Sequence, residues 1–393
     1  MSEKIPNVAA LLEETKTIFR NHFNEEPLQF VYAPGRVNLI GEHTDYNGGF
    51  VMPMALPLIT IIVGKKNNGS KSYVYTSAST VDTSQEAILD MEHITDKSTG
   101  PKWSLYVRGV IANYIGTAPA FKAVIHSTVP IGGGLASSAA LEVAVYYFLD
   151  EIGEPSKATV VNRALACQQA EHEYAGVPCG IMDQFVSFMG KTRQALLIDC
   201  QKMTVDYIPL TDPRIVVLIT NSNVKHELTG GEYSTRRKQC EEAAQLLKRV
   251  SLREATTHDL DYLKSINANE EVIKRAKHVI SENRRTKEGA EMLKQGNYMG
   301  FGRLMAESHN SLRDDYNVSC SELDDLVELA MEVEGVLGSR MTGAGFGGCT
   351  VTLLFSNAVE KVMDNIRRKY KGVPTFYICE PSEGAAKLCD CRI

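Results

Sequence analysis

Pro34-Gly35-Arg36-Val37-Asn38-Leu39-Ile40-Gly41-Glu42-His43-Thr44-Asp45-Tyr46-Asn47-Gly48-Gly49 holds four ionisable side chains, Arg36, Glu42, His43 and Asp45, within ten residues. Glycines and apolar strand formers flank them. Directional polar groups crowded at a strand end suit a polyhydroxylated ligand, because each hydroxyl needs donors and acceptors at fixed angles. A charged hairpin loop is the plain structural alternative, and this segment alone leaves both readings open.

Two further stretches concentrate glycine. Val129-Pro130-Ile131-Gly132-Gly133-Gly134-Leu135-Ala136-Ser137-Ser138-Ala139-Ala140 precedes an amphipathic helix with Leu141, Val143, Ala144 and Phe148. Glycines allow close backbone approach, and the free amides and dipole at a helix start make a phosphate cradle. It is neither a Walker A loop, since no Gly-Lys-Ser/Thr is present, nor a dinucleotide fingerprint. Met341-Thr342-Gly343-Ala344-Gly345-Phe346-Gly347-Gly348-Cys349 puts four glycines in six residues ahead of the strand Thr350–Phe355. A tight helix-to-strand turn explains it equally well. In Cys179-Gly180-Ile181-Met182-Asp183-Gln184, Asp183 follows a Pro/Gly break where a helix can start, and an aspartate there also suits the helix dipole.

The surrounding composition narrows the class. The chain has 393 residues, enough for two or three domains. Lys+Arg total 42 against 48 Asp+Glu, a net charge of −6 that argues against nucleic acid or anionic lipid as the main partner. Nine cysteines, none before Cys167, do not make a secreted disulfide framework. The charged N-terminus lacks a signal-peptide core, and the apolar run Val51–Val63 is broken by Pro53 and Pro57. A soluble, cytoplasmic chain without a membrane span is expected.

Apolar spacing predicts a helix from Val8 to Phe23 capped by Asn7, then strands at Leu28–Tyr32, Val51–Val63, Tyr73–Thr76 and Phe121–Ser127. Helices follow at Leu135–Asp150 and Ser156–Tyr174, the second capped by Ser156, and then strands at Ala195–Asp199 and Ile215–Thr220. Residues 232–334 read as mostly helical, and Thr350–Phe355 and Thr375–Cys379 as strands. Strands early, helices later and strands again favour a two-domain α+β arrangement, divided into 1–205 and 206–393. Cys389-Asp390-Cys391 lacks the second pair of a zinc site and reads as a mobile tail.

Together, in this order and spacing, the three glycine-rich motifs resemble the GHMP kinase superfamily. The first is similar to a galactokinase signature, Gly35 to Asn47, and the resemblance runs on through Cys179–Gln184, Thr220–Val224 and Ser339–Thr342. It implies an N-terminal ribosomal-protein-S5-like domain, a C-terminal ferredoxin-like domain and an active site between them. It also implies transfer of the ATP γ-phosphoryl group to the C1 hydroxyl of α-D-galactose, the entry step of the Leloir pathway.

By the same resemblance Asp183 is the catalytic aspartate and Arg36 the catalytic arginine. Arg36, Glu42, His43, Asp45, Gly180, Asp183 and Tyr233 take the sugar, with Asp45 and Tyr233 reading the axial 4-hydroxyl. Gly132, Gly134, Ala136, Ser137 and Ser138 cradle the ATP phosphates, and Ser138 and Glu171 hold Mg²⁺. Trp103 sits beside the nucleotide base, or else is a core aromatic. Ala136 stands where many relatives carry a serine, and Ala344 where they carry a glycine; neither removes a proposed catalytic group. A monomer acting on galactose and ATP is expected. The competing readings are an N-acetylgalactosamine kinase and a non-catalytic sensor of galactose and ATP. Sensors of this family have lost part of the phosphate loop, which is unbroken here.

Overall fold

Leu11, Leu12 and Phe19 form the buried stripe of helix α1 (Val8–Phe23), whose first turn is capped by the Asn7 side chain accepting from the Ala9 amide. The structure is a computed structural model that describes residues 3, 5, 7–78, 84–225 and 231–389. After α1 come β1 (Gln29–Asn38), β2 (Phe50–Val51), β3 (Pro53–Lys66), β4 (Lys71–Thr76), β5 (Glu86–Asp90), α2 (Ser104–Asn113) and β6 (Phe121–Ser127). They lead into α3 (Ser137–Ile152), α4 (Val160–Ala170), α5 (Met182–Met189), β7 (Gln194–Asp199) and β8 (Thr204–Pro209).

The N-terminal sheet has the order β13-β1-β3-β6-β4-β5, where β13 is the short strand Ala386–Lys387. The apolar run Val51–Val63 therefore supplies β2 and most of β3. Ile61, Ile62 and Val63 are buried because α1 covers one face of the sheet and α2, α3, α4 and α5 cover the other. Between Pro34 and Arg36 the β1–β3 register shifts, and such a bulge re-aims the side chains beside it. A smaller sheet joins β2, β7 and β8.

The second half runs β9 (Ile215–Lys225), α6 (Glu232–Leu246), α7 (Thr257–Ser265), α8 (Glu270–Lys294), α9 (Tyr298–Ser311) and α10 (Ser321–Met331). β10 (Val336–Thr342), β11 (Gly347–Phe355), α11 (Val359–Lys369) and β12 (Thr375–Cys379) complete an antiparallel sheet of order β10-β11-β9-β12. Val37, Leu39 and Met52 of the first half pack in one apolar cluster with Val217, Phe301 and Val351 of the second. That shared core holds the two halves in register.

Several expectations need adjustment. Ser156 does not cap α4: the Asp150 carboxylate takes its amide at 2.8 Å, its hydroxyl accepts from Tyr146, and Thr159 accepts from the Asn162 amide instead. The elements α2, β5, β8, β10 and α11 were not foreseen, and the third glycine-rich segment joins strand β10 to strand β11, not a helix to a strand. Residue 205 lies inside β8, and β13 returns the chain to the N-terminal sheet. None of the eight described cysteines is in a disulfide. Of the C-terminal Cys-Asp-Cys, only Cys389 falls among the described residues.

Candidate active site

The three glycine-rich segments meet. Gly343 and Gly348 have φ of +82° and +80°, and a Cβ on them would stand 3.0 Å from the Gly134 carbonyl oxygen and 3.1 Å from that of Gly133. Glycine there lets the third segment lie flat on the second. The second segment then opens α3, with Gly132, Gly134 and Ala136 all at positive φ. No side chain caps α3, and its first intrahelical bond runs from the Ala140 amide to the Ala136 carbonyl. The amides of the first turn, beside Ser137 and Ser138, are left to donate to an anion.

Next to this turn is a cavity of about 370 Å³, within the range of small-molecule sites. Arg36, Glu42, His43, Asp45, Gly180, Asp183 and Tyr233, every residue expected at the sugar, line it. Arg36 is almost fully buried and grips both carboxylate oxygens of Asp183, Nε to Oδ1 at 2.8 Å and Nη2 to Oδ2 at 2.8 Å. Its remaining arm, Nη1, donates to the Gly134 carbonyl at 2.6 Å. One guanidinium thus fixes the head of α5 against the phosphate-loop turn, which a planar fork can do and an ammonium cannot.

Asp45 rests directly on Gly180, where a Cβ would come within 1.8 Å of Oδ2. Burial, reinforced by nearby Asp183, pushes its carboxyl up to about 6. Glu42 faces the cavity but already accepts from three donors, the Thr342 hydroxyl and Gly343 amide on Oε1 and the Asn38 amide on Oε2, and its Oε2 is also ion-paired with Arg340 Nη2. The Glu42–Arg340 pair, fully buried at 2.6 Å, ties the first segment to β10. Tyr233 packs its ring 5.7 Å from His43.

Glu171 begins a π-helical turn, Glu171–Ala175, that continues α4. The neighbouring Ser138 hydroxyl favours the ionised form of Glu171, whose Oε2 accepts from the Gln184 amide at 2.9 Å and the Cys179 thiol at 3.3 Å. Behind it lies Glu142, fully buried, bonded to the same Gln184 nitrogen at 3.0 Å and with Oε1 unpartnered. Burial first, and then the neighbouring carboxylate, raises both glutamates above the usual range. Glu142 and Gln184 were not singled out by their position in the sequence; a buried Glu one turn into a helix gives no local signal. Arg340 and Tyr316 were missed because their partners are distant in sequence, 302 positions from Arg340 to Asn38 and 270 from Tyr316 to Tyr46. Trp103 lies outside the sugar cavity, its indole donating to the Ser84 carbonyl at 2.8 Å and its ring against the N-terminal core.

The fold and the meeting of the three segments define a GHMP kinase. Profiles of the GHMP kinase N-terminal and C-terminal domains match residues 105–191 and 290–372, and a galactokinase galactose-binding signature matches 17–66. The galactokinase of Homo sapiens is 50% identical over 388 residues, 98% of each chain. That of Pasteurella multocida is 41% identical over 95% of this chain and 98% of its own. The crystal structure of Lactococcus lactis galactokinase complexed with galactose superposes with a TM-score of 0.90 at 31% identity, covering 97% of this chain and 100% of that one. Methanococcus jannaschii mevalonate kinase shares the fold alone, with a TM-score of 0.63 at 19% identity over 91% of this chain and 99% of that one. The chain belongs to the galactokinase family and is an ATP-dependent sugar kinase.

Proposed function

We propose that the 370 Å³ cavity takes α-D-galactose with its C1 hydroxyl at Asp183, and that ATP lays its phosphates on the first turn of α3. As a galactokinase, the chain transfers the γ-phosphoryl group to that hydroxyl, giving galactose 1-phosphate and ADP. The observation that carries the reading is the Arg36 fork, which contacts Asp183 and the phosphate loop with one side chain. Asp183 accepts the hydroxyl proton and aligns the nucleophile, while Arg36 stabilises negative charge that builds during transfer. Asp45 and Tyr233 read the axial 4-hydroxyl, and Glu42, His43 and Gly180 complete the sugar wall. An unpaired buried group is costly, so this wall rejects the C4 epimer. Gly132, Gly134, Ala136, Ser137 and Ser138 cradle the phosphates, and Trp103 flanks the base.

Ser138 and Glu171 suit Mg²⁺. Glu171 lies within electrostatic reach of both Glu142 and Asp183, and among the described residues no cage of three or more metal-binding side chains exists. A hard cation that keeps most of its coordination for phosphate and water fits such a sparse oxygen set. When bound it supplies charge neutralisation at the β- and γ-phosphates. Among the described residues no helix is long and apolar enough to cross a membrane; a cytoplasmic location and a monomer are part of the proposal. A two-domain division near residue 205, with β13 joining the first sheet, completes the proposal.

The test is ADP release with Mg-ATP and a panel of galactose, N-acetylgalactosamine and glucose. Turnover on galactose far above the others is the expected result. Preference for the N-acetylated sugar, or galactose binding without galactose 1-phosphate, overturns it.

Two predictions follow from Asp45. It accepts sugar hydroxyls as a carboxylate, and its carboxyl titrates near 6, so protonation as pH falls through that value weakens binding. Between pH 7.5 and 5.5 the ionised fraction drops about fourfold, and the galactose KM rises by about the same factor. The Asp45→Asn enzyme shows a flat KM over this range. In Gly180→Ala the new methyl displaces the Asp45 carboxylate, and titration calorimetry reads galactose affinity lowered by about tenfold or more with nucleotide affinity unchanged.

A further inference from the structure

His43 lines the cavity with both ring nitrogens already engaged. Nε2 lies 3.1 Å from the Ala344 carbonyl oxygen, and Nδ1 lies 2.8 Å from the Tyr46 hydroxyl. A carbonyl only accepts, so Nε2 carries the proton and donates. Nδ1 is then the bare acceptor, and the single hydroxyl proton of Tyr46 is spent on it. Tyr46 and Tyr316 share a 2.7 Å contact, in which Tyr316 must therefore donate. The Tyr316 proton being spent in turn, the Cys240 thiol, 3.1 Å away, donates to its oxygen. Every link has one direction.

We propose that Tyr46 and Tyr316 are positioning residues of the sugar site, holding His43 in its Nε2–H tautomer through this one-way chain from Cys240. His43 then meets the sugar only as a donor, through the Nε2–H it shares with Ala344, and never as an acceptor or a base. Two independent observations agree. Burial, and next to it His278, pulls His43 down to about 3, while burial lifts both tyrosines well above their ordinary range, so all members are neutral. The His43 backbone is also held at φ +62°, an unfavourable value that the Asn47 amide, donating to the His43 carbonyl at 2.9 Å, helps maintain. His43 and Tyr46 belong to the sugar segment, whereas Tyr316, Cys240 and Ala344 come from the second half. The chain thus sets the sugar wall across both halves.

This inference rests on the cavity being the sugar site, and the experiments separate the two claims. Long-range ¹H–¹⁵N spectra of ¹⁵N-histidine-labelled wild type, with His43 identified by its loss in His43→Asn, are expected to show a protonated Nε2 and a bare Nδ1. In Tyr46→Phe the ring stays and the donor goes; the galactose Kd rises about tenfold, while kcat at saturating sugar stays within about twofold. Tyr316→Phe leaves the Tyr46 donor in place and raises Kd only about twofold to threefold. Metal-free nucleotide affinity is unchanged in both. A protonated Nδ1 in wild type, a wild-type galactose Kd in Tyr46→Phe, or a parallel fall in nucleotide affinity overturns the inference. If Asp45→Asn also binds galactose normally, the reading of the cavity itself has failed.

Discussion

Asp183→Asn lowers kcat by about 10³-fold, with the galactose Kd within about threefold of wild type. The asparagine keeps the shape of the side chain and one acceptor oxygen. It can still accept from a sugar hydroxyl, which preserves binding, but cannot take up its proton. Asparagine also disturbs the fork: its amide nitrogen must face one of the two Arg36 donors that now bond Oδ1 and Oδ2. A donor facing a donor leaves one Arg36 N–H unpaired in a nearly buried site, a cost of about 1–3 kcal/mol. Thermal melting therefore shifts down modestly. Single-turnover measurements with Mg-ATP separate this from slow product release. A variant within about tenfold of wild-type kcat would assign Asp183 to orienting the hydroxyl alone.

Much of this site was legible because its chemistry is local. Gly35 to Asn47 carries four of the cavity residues in one segment, and the Pro/Gly break before Asp183 marks the start of α5. The phosphate turn is legible too, because glycine ahead of an amphipathic helix has few uses. The glycines of the third segment read as backbone lying close to something. That something is the second segment: Gly343 and Gly348 make room for the carbonyls of Gly134 and Gly133. Periodicity cannot report such a contact, because the two stretches lie some 200 positions apart.

The same limit hid the partners of the polar residues. Glu42 reads as a sugar ligand, and its carboxylate is also held by Asn38, Arg340, Thr342 and Gly343, three of them from β10 and the residue following it. His43 reads as a polar contact, yet its orientation depends on Tyr316 and Ala344. In the fold, α1 and α3 were foreseeable from steady apolar spacing, whereas α11, with Val359, Val362, Met363 and Ile366 spaced as steadily, was missed. Ser156 misled because a serine ahead of a helix is a cap only if nothing else claims it, and Asp150, Tyr146 and Arg163 do.

Arg36→Lys loses about 10²-fold in kcat while galactose binds within about threefold of wild type. The guanidinium makes three contacts in three directions, two to Asp183 and one to the Gly134 carbonyl. A lysine ammonium has protons enough for three bonds, but they leave a single atom and cannot match a planar fork. It reaches either Asp183 or the phosphate turn, so the two parts of the site lose their common reference. The sugar hydroxyls meet Asp45 and Tyr233, which Arg36 does not touch, and binding survives. The decisive measurement is the double variant. If Arg36 works mainly by holding Asp183 and compensating charge beside it, Asp183→Asn already removes most of what Arg36 provides. The combined loss then exceeds that of Asp183→Asn alone by less than about tenfold, where independent roles would multiply to about 10⁵. A product near the multiplied value would mean that Arg36 acts on the transferring phosphoryl group without Asp183, and the fork would be a structural contact only.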